Sequence, residues 1–432
     1  MTENQKFQDY LKMLHKPFQK LCRLRFLQPD GSTAFILDNN PTNPLSSAFI
    51  ADGTITANWQ NGRRRSASVT LDNVDGQFDY NVNQLWFGTE IALDEGLVLS
   101  DGTEYYIQQG VFLLETPEEN VQPVGRTVTY NLVDKVANLD GTLMGNLEGT
   151  YEVEVGTNIF DPIVALLAED RGNGIPLDRA KPIFTEYYNG KTQTLPDGTV
   201  VNLTDSPYTL TVDAGQTKWD VISGLCAMVN AWVGYDETGA LRVDPSQDDI
   251  LDADKPVLWD FSMADTTLLG LTYSVQNSKV YNDLIVCGEL LDDYTQPIAR
   301  ASVEDPLSPV NIQTIGRKTK REVKAGYGSN KQCEDYAVWT LKRAAALQRA
   351  VTISSTQIFH IHGNDVCTVV RTDRNNAVEK HLIQGFSRPL SYNGPMTVNC
   401  VSVNDFPVIT YGWLYPSETL YPSETLYPKS SI

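Results

Sequence analysis

The chain has few of the residues that metal and redox chemistry use. Its 432 residues include only four histidines and six cysteines, with no C-x-x-C pair. His360 and His362, with His381 or Cys367, could supply three ligands, but no further Cys or His stands at ligand spacing. Ordinary polar strand positions are the plainer reading, so no metal or other cofactor is expected. No stretch of about 18 consecutive apolar residues occurs, and the N-terminus lacks the apolar run of a signal peptide. The expectation is a protein folded in the cytoplasm with reduced thiols. Positive charge is also scarce: 34 Lys and Arg against 54 Asp and Glu leave a net charge of -20. Neutralising nucleic-acid phosphates needs the opposite balance, so this acidity speaks to solubility and association.

Catalytic signatures are missing too. There is no G-x-S-x-G elbow, P-loop, G-x-G-x-x-G after a strand, or H-E-x-x-H. The pairs Glu118-Glu119, Asp248-Asp249 and Asp292-Asp293 sit in loop-like contexts and read as solvated faces. A glycosidase built on two distant carboxylates would leave no local trace, so an enzyme is unsupported by sequence. Asp72 to Gly76 resembles a calcium loop only until its third position, which is Val74.

What is present is a run of hairpins. Asn61-Gly62 is a tight-turn dipeptide followed by Arg63, Arg64 and Arg65, and Ser66 to Leu71 alternates with Ala67, Val69 and Leu71 on one face. Gly88 to Leu93, Tyr105 to Leu114 and Val128 to Val133 continue the pattern with Gly, Asp and Asn turns between them. Before them, Thr2 caps a short helix with Phe7, Tyr10, Leu11 and Leu14 on one side, and Cys22, Leu24 and Phe26 alternate with Arg23 and Arg25.

At this length two to four structural units are expected. The period changes after Gly149, where Thr157 or Asn158 caps one helix and Thr217 with Asp220 caps another, followed by a hairpin turning at Asp236 to Gly239. Strands return from Leu268, with a helix opened by Ser329 and Gln332 that places Tyr336, Thr340, Leu341, Ala344 and Leu347 on one face. The fold class is α+β and β-dominated, with two β-barrel-like domains separated by an α+β insertion and followed by an extended C-terminal arm. The boundaries are an N-terminal helix over 1–22, a first β-barrel-like domain over 23–149, the insertion over 150–265, a second β-barrel-like domain with one helix over 266–405, and the arm over 406–432.

The arm repeats a hexapeptide. Leu414, Tyr415 and Pro416 begin a copy of LYPSET, Leu420, Tyr421 and Pro422 the next, and Leu426, Tyr427 and Pro428 a third. Proline in every unit rules out a helix or a central strand. Leu and Tyr recurring every six residues read either as a disordered end or, preferably, as a docking strip. Arg63, Arg64 and Arg65 read as a solvated turn or as an ion-pairing site facing a neighbouring copy.

These pieces carry a family resemblance. Asn-x-Asp-Gly-x-Phe at Asn73 to Phe78, the strand Gly88 to Leu93, Gly110 to Phe112, Leu132 to Lys135, Val280 to Asp283, and Ser391 to Gly394 together resemble the baseplate or tail-tip hub of tailed bacteriophages. The likeness covers roughly residues 20 to 405 and rests on element order with short loose motifs. It implies a fold shared with contractile-tail hubs and the base of type VI secretion spikes. It further implies a homotrimer whose two β units per subunit make a six-part ring, joining a sixfold tail tube to threefold distal parts. The implied partners are a distal tail protein ring above, a tape-measure protein, DNA in passage only, and a downstream spike or fibre reached by the arm. Such a protein resides at the virion tail tip after assembly in the host cytoplasm. The alternative reading is a tail-associated cell-wall hydrolase or a carbohydrate-binding receptor protein.

Overall fold

The computed structural model describes residues 2–39, 50–59, 65–74, 76, 78, 88–123, 125–172, 174–194, 198–245, 256–274, 280–290, 294–324, 327–346, 350–390, 394–402, 409–414 and 426–431. The turn from Asn61 to Arg64, the acidic pairs Asp248-Asp249 and Asp292-Asp293, Leu347, residues 391–393 and residues 415–425 of the repeat lie outside them.

The chain opens with α1 (Glu3–Met13), closed at its N-terminus by a reciprocal box between Thr2 and Gln5. Seven strands follow: β1 (Lys20–Leu27), β2 (Thr33–Asp38), β3 (Ile50–Asn58), β4 (Arg65–Asp72), β5 (Glu90–Val98), β6 (Glu104–Gln122) and β7 (Gly125–Asp134). Along β1, Cys22, Leu24 and Phe26 are buried while Arg23 and Arg25 turn to the other face, as their alternation predicts. In β4 the buried set is Arg65, Ala67, Val69 and Leu71, so the predicted apolar face begins with a guanidinium.

Order within the sheet departs from order along the chain. Neighbours run β2, β1, β5, β6, β7, β4, β3, and β3 then pairs antiparallel with Ala377–Pro389. That strand continues to Met396–Ser402, Ala350–Ser355 and Leu268–Ser274, while Val366–Arg371 pairs its other side and holds Val257–Ser262 in parallel. The two β units that the sequence separates thus share one 13-stranded sheet and one core, which runs from Tyr10 and Leu24 through Val69 and Phe112 to Phe386 and Val398.

The α+β insertion has its own core. Ile159, which precedes the helix Phe160–Ala168, and Ile163, Leu166 and Leu167 within it pack with Val221, Leu225 and Met228 from Lys218–Met228. Asn158 accepts from the Phe160 amide, and Thr217 with Asp220 forms the predicted capping box. The stretch Tyr187 to Leu210 includes the hairpin Thr192–Thr194 with Val200–Asn202.

A third core lies under a separate five-stranded sheet of Thr319–Val323, Asp283–Cys287, Ile298–Val303, Ile409–Leu414 and Leu426–Ser431. The helix Asn330–Ala346 docks here rather than on the 13-stranded sheet, and Ser329 and Gln332 cap it reciprocally. Its buried stripe is Cys333, Ala337, Leu341 and Ala345, not the face drawn through Tyr336 and Thr340. Small side chains let the helix sit close to the sheet, and Tyr336 lies at the margin with its hydroxyl on Glu322. Among the described residues no helix is long and apolar enough to cross a membrane.

Candidate functional site

Three charged side chains are buried where the early and late strands meet. Glu95 on β5 takes Lys20 Nζ at 2.9 Å and Arg388 Nε at 2.5 Å, and neither Glu95 nor Arg388 has any side-chain exposure. Arg388 also donates to the Ile358 carbonyl at 3.0 Å and to the Gln109 amide oxygen, and Lys20 donates to Gln357. A buried charge survives only when paired and hydrogen-bonded, and every member here comes from a different element. Burial works against the Glu95 carboxylate, but Arg388 and Lys20 outweigh it and hold it below the usual range.

Arg65 lies at the rim of this network. It is 3% exposed, donates to the Gln109 carbonyl, stacks over Trp59 at 5.4 Å, and reaches Glu237 on the insertion hairpin at 3.5 Å. Its side chain is buried and serves contacts within the chain, which corrects the reading of Arg65 as part of a solvated turn. Extending the period of Ala67, Val69 and Leu71 by one step back would have found it. Arg63 and Arg64 lie outside the described residues.

Beside Arg65 a cleft of ≈ 820 Å³ opens between the first β unit, the insertion and the loop 356–365. Phe7, Tyr105, Tyr187 and Trp232, all half-buried residues, line it, and Glu237, Arg242 and Asp244 supply charge. Gly363 packs so closely on Trp59 that a Cβ there would lie 1.7 Å from the ring. His360 and His362 also line the cleft, from a loop rather than a strand. At the start of this segment Gln357 donates to the Pro389 and Gly394 carbonyls. His360 meets the Tyr10 hydroxyl at 3.0 Å and burial lowers its pKa to about 4; His362 is held well below the ordinary value by burial and by Arg65. His381 lies on the strand Ala377–Pro389, opposite Cys367 across the pair. Among the described residues no three His, Cys, Asp or Glu side chains group as metal ligands.

At the C-terminus, Leu426–Ser431 is extended, as its proline period requires, but it folds back as an edge strand on Ile409–Leu414. Tyr427 stands opposite Trp413 and Leu426 opposite Leu414, and the register shifts just beyond, where Pro428 falls. An edge position with a bulge is where a strand tolerates proline. Tyr415, Pro416, Leu420, Tyr421 and Pro422 lie outside the described residues.

No protein-family model matches the sequence, and no curated protein does. Solved structures do match. The tail protein from Neisseria meningitidis MC58 superimposes with a TM-score of 0.57, covering 90% of this chain and 98% of that one at 10% identity. The 43 kDa tail protein of prophage MuSo2 from Shewanella oneidensis gives 0.56, covering 89% and 98% at 11% identity. Over about nine-tenths of its length, the chain has the fold of these two tail proteins.

Proposed function

We propose that this protein is a structural component of a bacteriophage tail, the hub of its tip or baseplate. The observation that carries the reading is the near-complete two-way coverage by two solved tail proteins. In this reading the chain forms a homotrimer, its two β units supply six quasi-equivalent elements beneath the tail tube, and its acidic balance suits a channel that DNA traverses without sticking. A distal tail protein ring lies above it, a tape-measure protein enters from the tube, and Arg63 and Arg64 are placed at the contact between copies. The Leu-Tyr-Pro units at 414–416, 420–422 and 426–428 engage a downstream spike or fibre. Its role is architectural rather than catalytic.

Solution mass and electron microscopy of the purified protein test this directly. A stable trimer that joins tail proteins supports it, and a monomer that never does so overturns it. Ile409–Leu414 lies inside the small sheet and Leu426–Ser431 forms its edge, so the arm is tested by ending the chain after Leu414. Loss of the distal component with the trimer retained is the expected result; unchanged tails would remove the arm from the proposal.

A further inference from the structure

Positive charge, scarce along this chain, gathers at one strand. Residues 316–324 hold five Lys and Arg against a single Glu, in a protein of net charge -20. Within them, Thr319–Val323 ends the small sheet, and among the described residues its one strand neighbour is Asp283–Cys287. The Lys324 amide donates to the Cys287 carbonyl, so by alternation Lys320 and Glu322 also turn their backbone groups toward that neighbour. The N–H and C=O groups of Thr319, Arg321 and Val323 then point outward. All three residues are exposed, Val323 at 67%. A row of this kind is a template for a further strand.

The start of this edge borders a cleft of ≈ 920 Å³, within the range of about 300–1,000 Å³ typical of ligand sites. Lys318, Thr319 and Lys320 line it from the small unit. From the 13-stranded sheet come Thr56 bonded across strands to Ser387 at 3.5 Å, and Thr352 bonded to Asn399 at 3.3 Å, all neutral. Among the described residues no Asp or Glu lines the cleft, although the chain holds 54 of them. Lys320 lies 2.7 Å from Glu322 yet keeps 48% of its side chain exposed, and Glu322 is shared with Lys324 and the Tyr336 hydroxyl. Lysines at a sheet edge deter basic strands but draw acidic ones. In a chain this acidic, a guard against pairing between copies would carry carboxylates instead.

We infer that this cleft and edge take an extended acidic segment of a partner protein. Its backbone pairs with the outward groups of Thr319, Arg321 and Val323, and its carboxylates lie over Lys318 and Lys320. A nucleic acid has no row of N–H and C=O groups to match the open ladder, so the edge favours a polypeptide over another polyanion. The inference stands apart from the hub reading, because peptide binding and trimer formation are read separately.

The test uses the full-length protein and four fluorescein-labelled probes. These are a heptapeptide alternating Glu and Val, its Lys and Val counterpart, the acidic heptapeptide with alternate amides N-methylated, and a short single-stranded DNA. Fluorescence anisotropy follows each titration at low salt. Saturable binding of the plain acidic peptide is expected, at least tenfold tighter than the basic and N-methylated ones. The double variant Lys318→Gln with Lys320→Gln should weaken it tenfold or more; Glu322 keeps Lys324 and Tyr336 as partners there. Val323→Pro removes an outward donor from an edge position where proline is tolerated, and should weaken it similarly while melting stays cooperative. If that variant does not fold, the N-methylated peptide makes the same test from the ligand side. No binding of the acidic peptide, equal binding of its N-methylated form, tighter binding of the DNA, or binding that the lysine variant leaves unchanged would each overturn the inference.

Discussion

Arg388 donates from Nε to Glu95 Oε2 at 2.5 Å, joining residues 293 positions apart in a place with no access to solvent. With Lys20 on the other carboxylate oxygen, this contact ties β1 and β5 to the strand Ala377–Pro389. Removing one partner strands the other charge. Glu95→Ala is expected to destabilise by about 3–5 kcal/mol, as buried pairs do when half of them is deleted. Replacing all three charges with apolar side chains, Lys20→Met with Glu95→Leu and Arg388→Met, should recover most of that loss. Denaturant unfolding of both proteins measures it, and equal stability of the single variant and the parent would rule it out.

Acid sensitivity should come in two windows. The imidazole of His360 is held at about 4 by burial, so between the unfolded value of about 6.5 and that point the unfolded chain binds a proton that the folded chain refuses. Stability is then full above pH 6.5 and falls as pH drops toward 4. His360→Gln should flatten this slope in part, since His362 is depressed in the same direction. Glu95 is a depressed carboxylate, so its contribution is present above its unfolded value, near 4.3, and disappears only below it. Urea midpoints at half-unit steps of pH would separate the windows.

Asn282 is fully buried and donates to the Val310 and Gly316 carbonyls at 2.9 and 2.8 Å while accepting from the Lys318 amide at 2.7 Å. It closes the loop on one side of the small sheet with three bonds from one side chain. Asn282→Leu leaves those backbone groups without it, and a loss of at least about 2 kcal/mol is expected. Hydrogen exchange at Lys318 should rise sharply.

Gly363→Ala should displace the ring of Trp59, since the added carbon falls inside it. Overpacking of this kind costs about 1–3 kcal/mol. A shifted tryptophan emission spectrum with a lower melting point checks it.

Much of the local structure is written locally. The three reciprocal caps at Thr2, Thr217 and Ser329 and the alternation along β1 and β4 follow from neighbouring residues alone. What depends on distant partners is not legible in that way. Nothing near Ile50–Asn58 announces that it pairs with Ala377–Pro389, and nothing near Lys20 or Arg388 marks either as an interior charge. Along the helix Asn330–Ala346, periodicity fits the faces through Tyr336 and through Ala337 alike, and only the sheet beneath it selects the one carrying Cys333, Ala337, Leu341 and Ala345. The cleft, assembled from α1, β6, the insertion and the loop 356–365, has no signature in any one stretch.

The pairing of Asn58 with Gly385 also sets a timetable for synthesis. At about 5–20 residues per second, a ribosome takes roughly 15–65 s to travel from one to the other. Throughout that interval the nascent first unit carries β3 with an open hydrogen-bonding edge, the form in which strands recruit foreign partners. Newly made chains are therefore most vulnerable to mispairing with each other on crowded polysomes, and slowing translation between these points should lower soluble yield more than slowing it after Pro389.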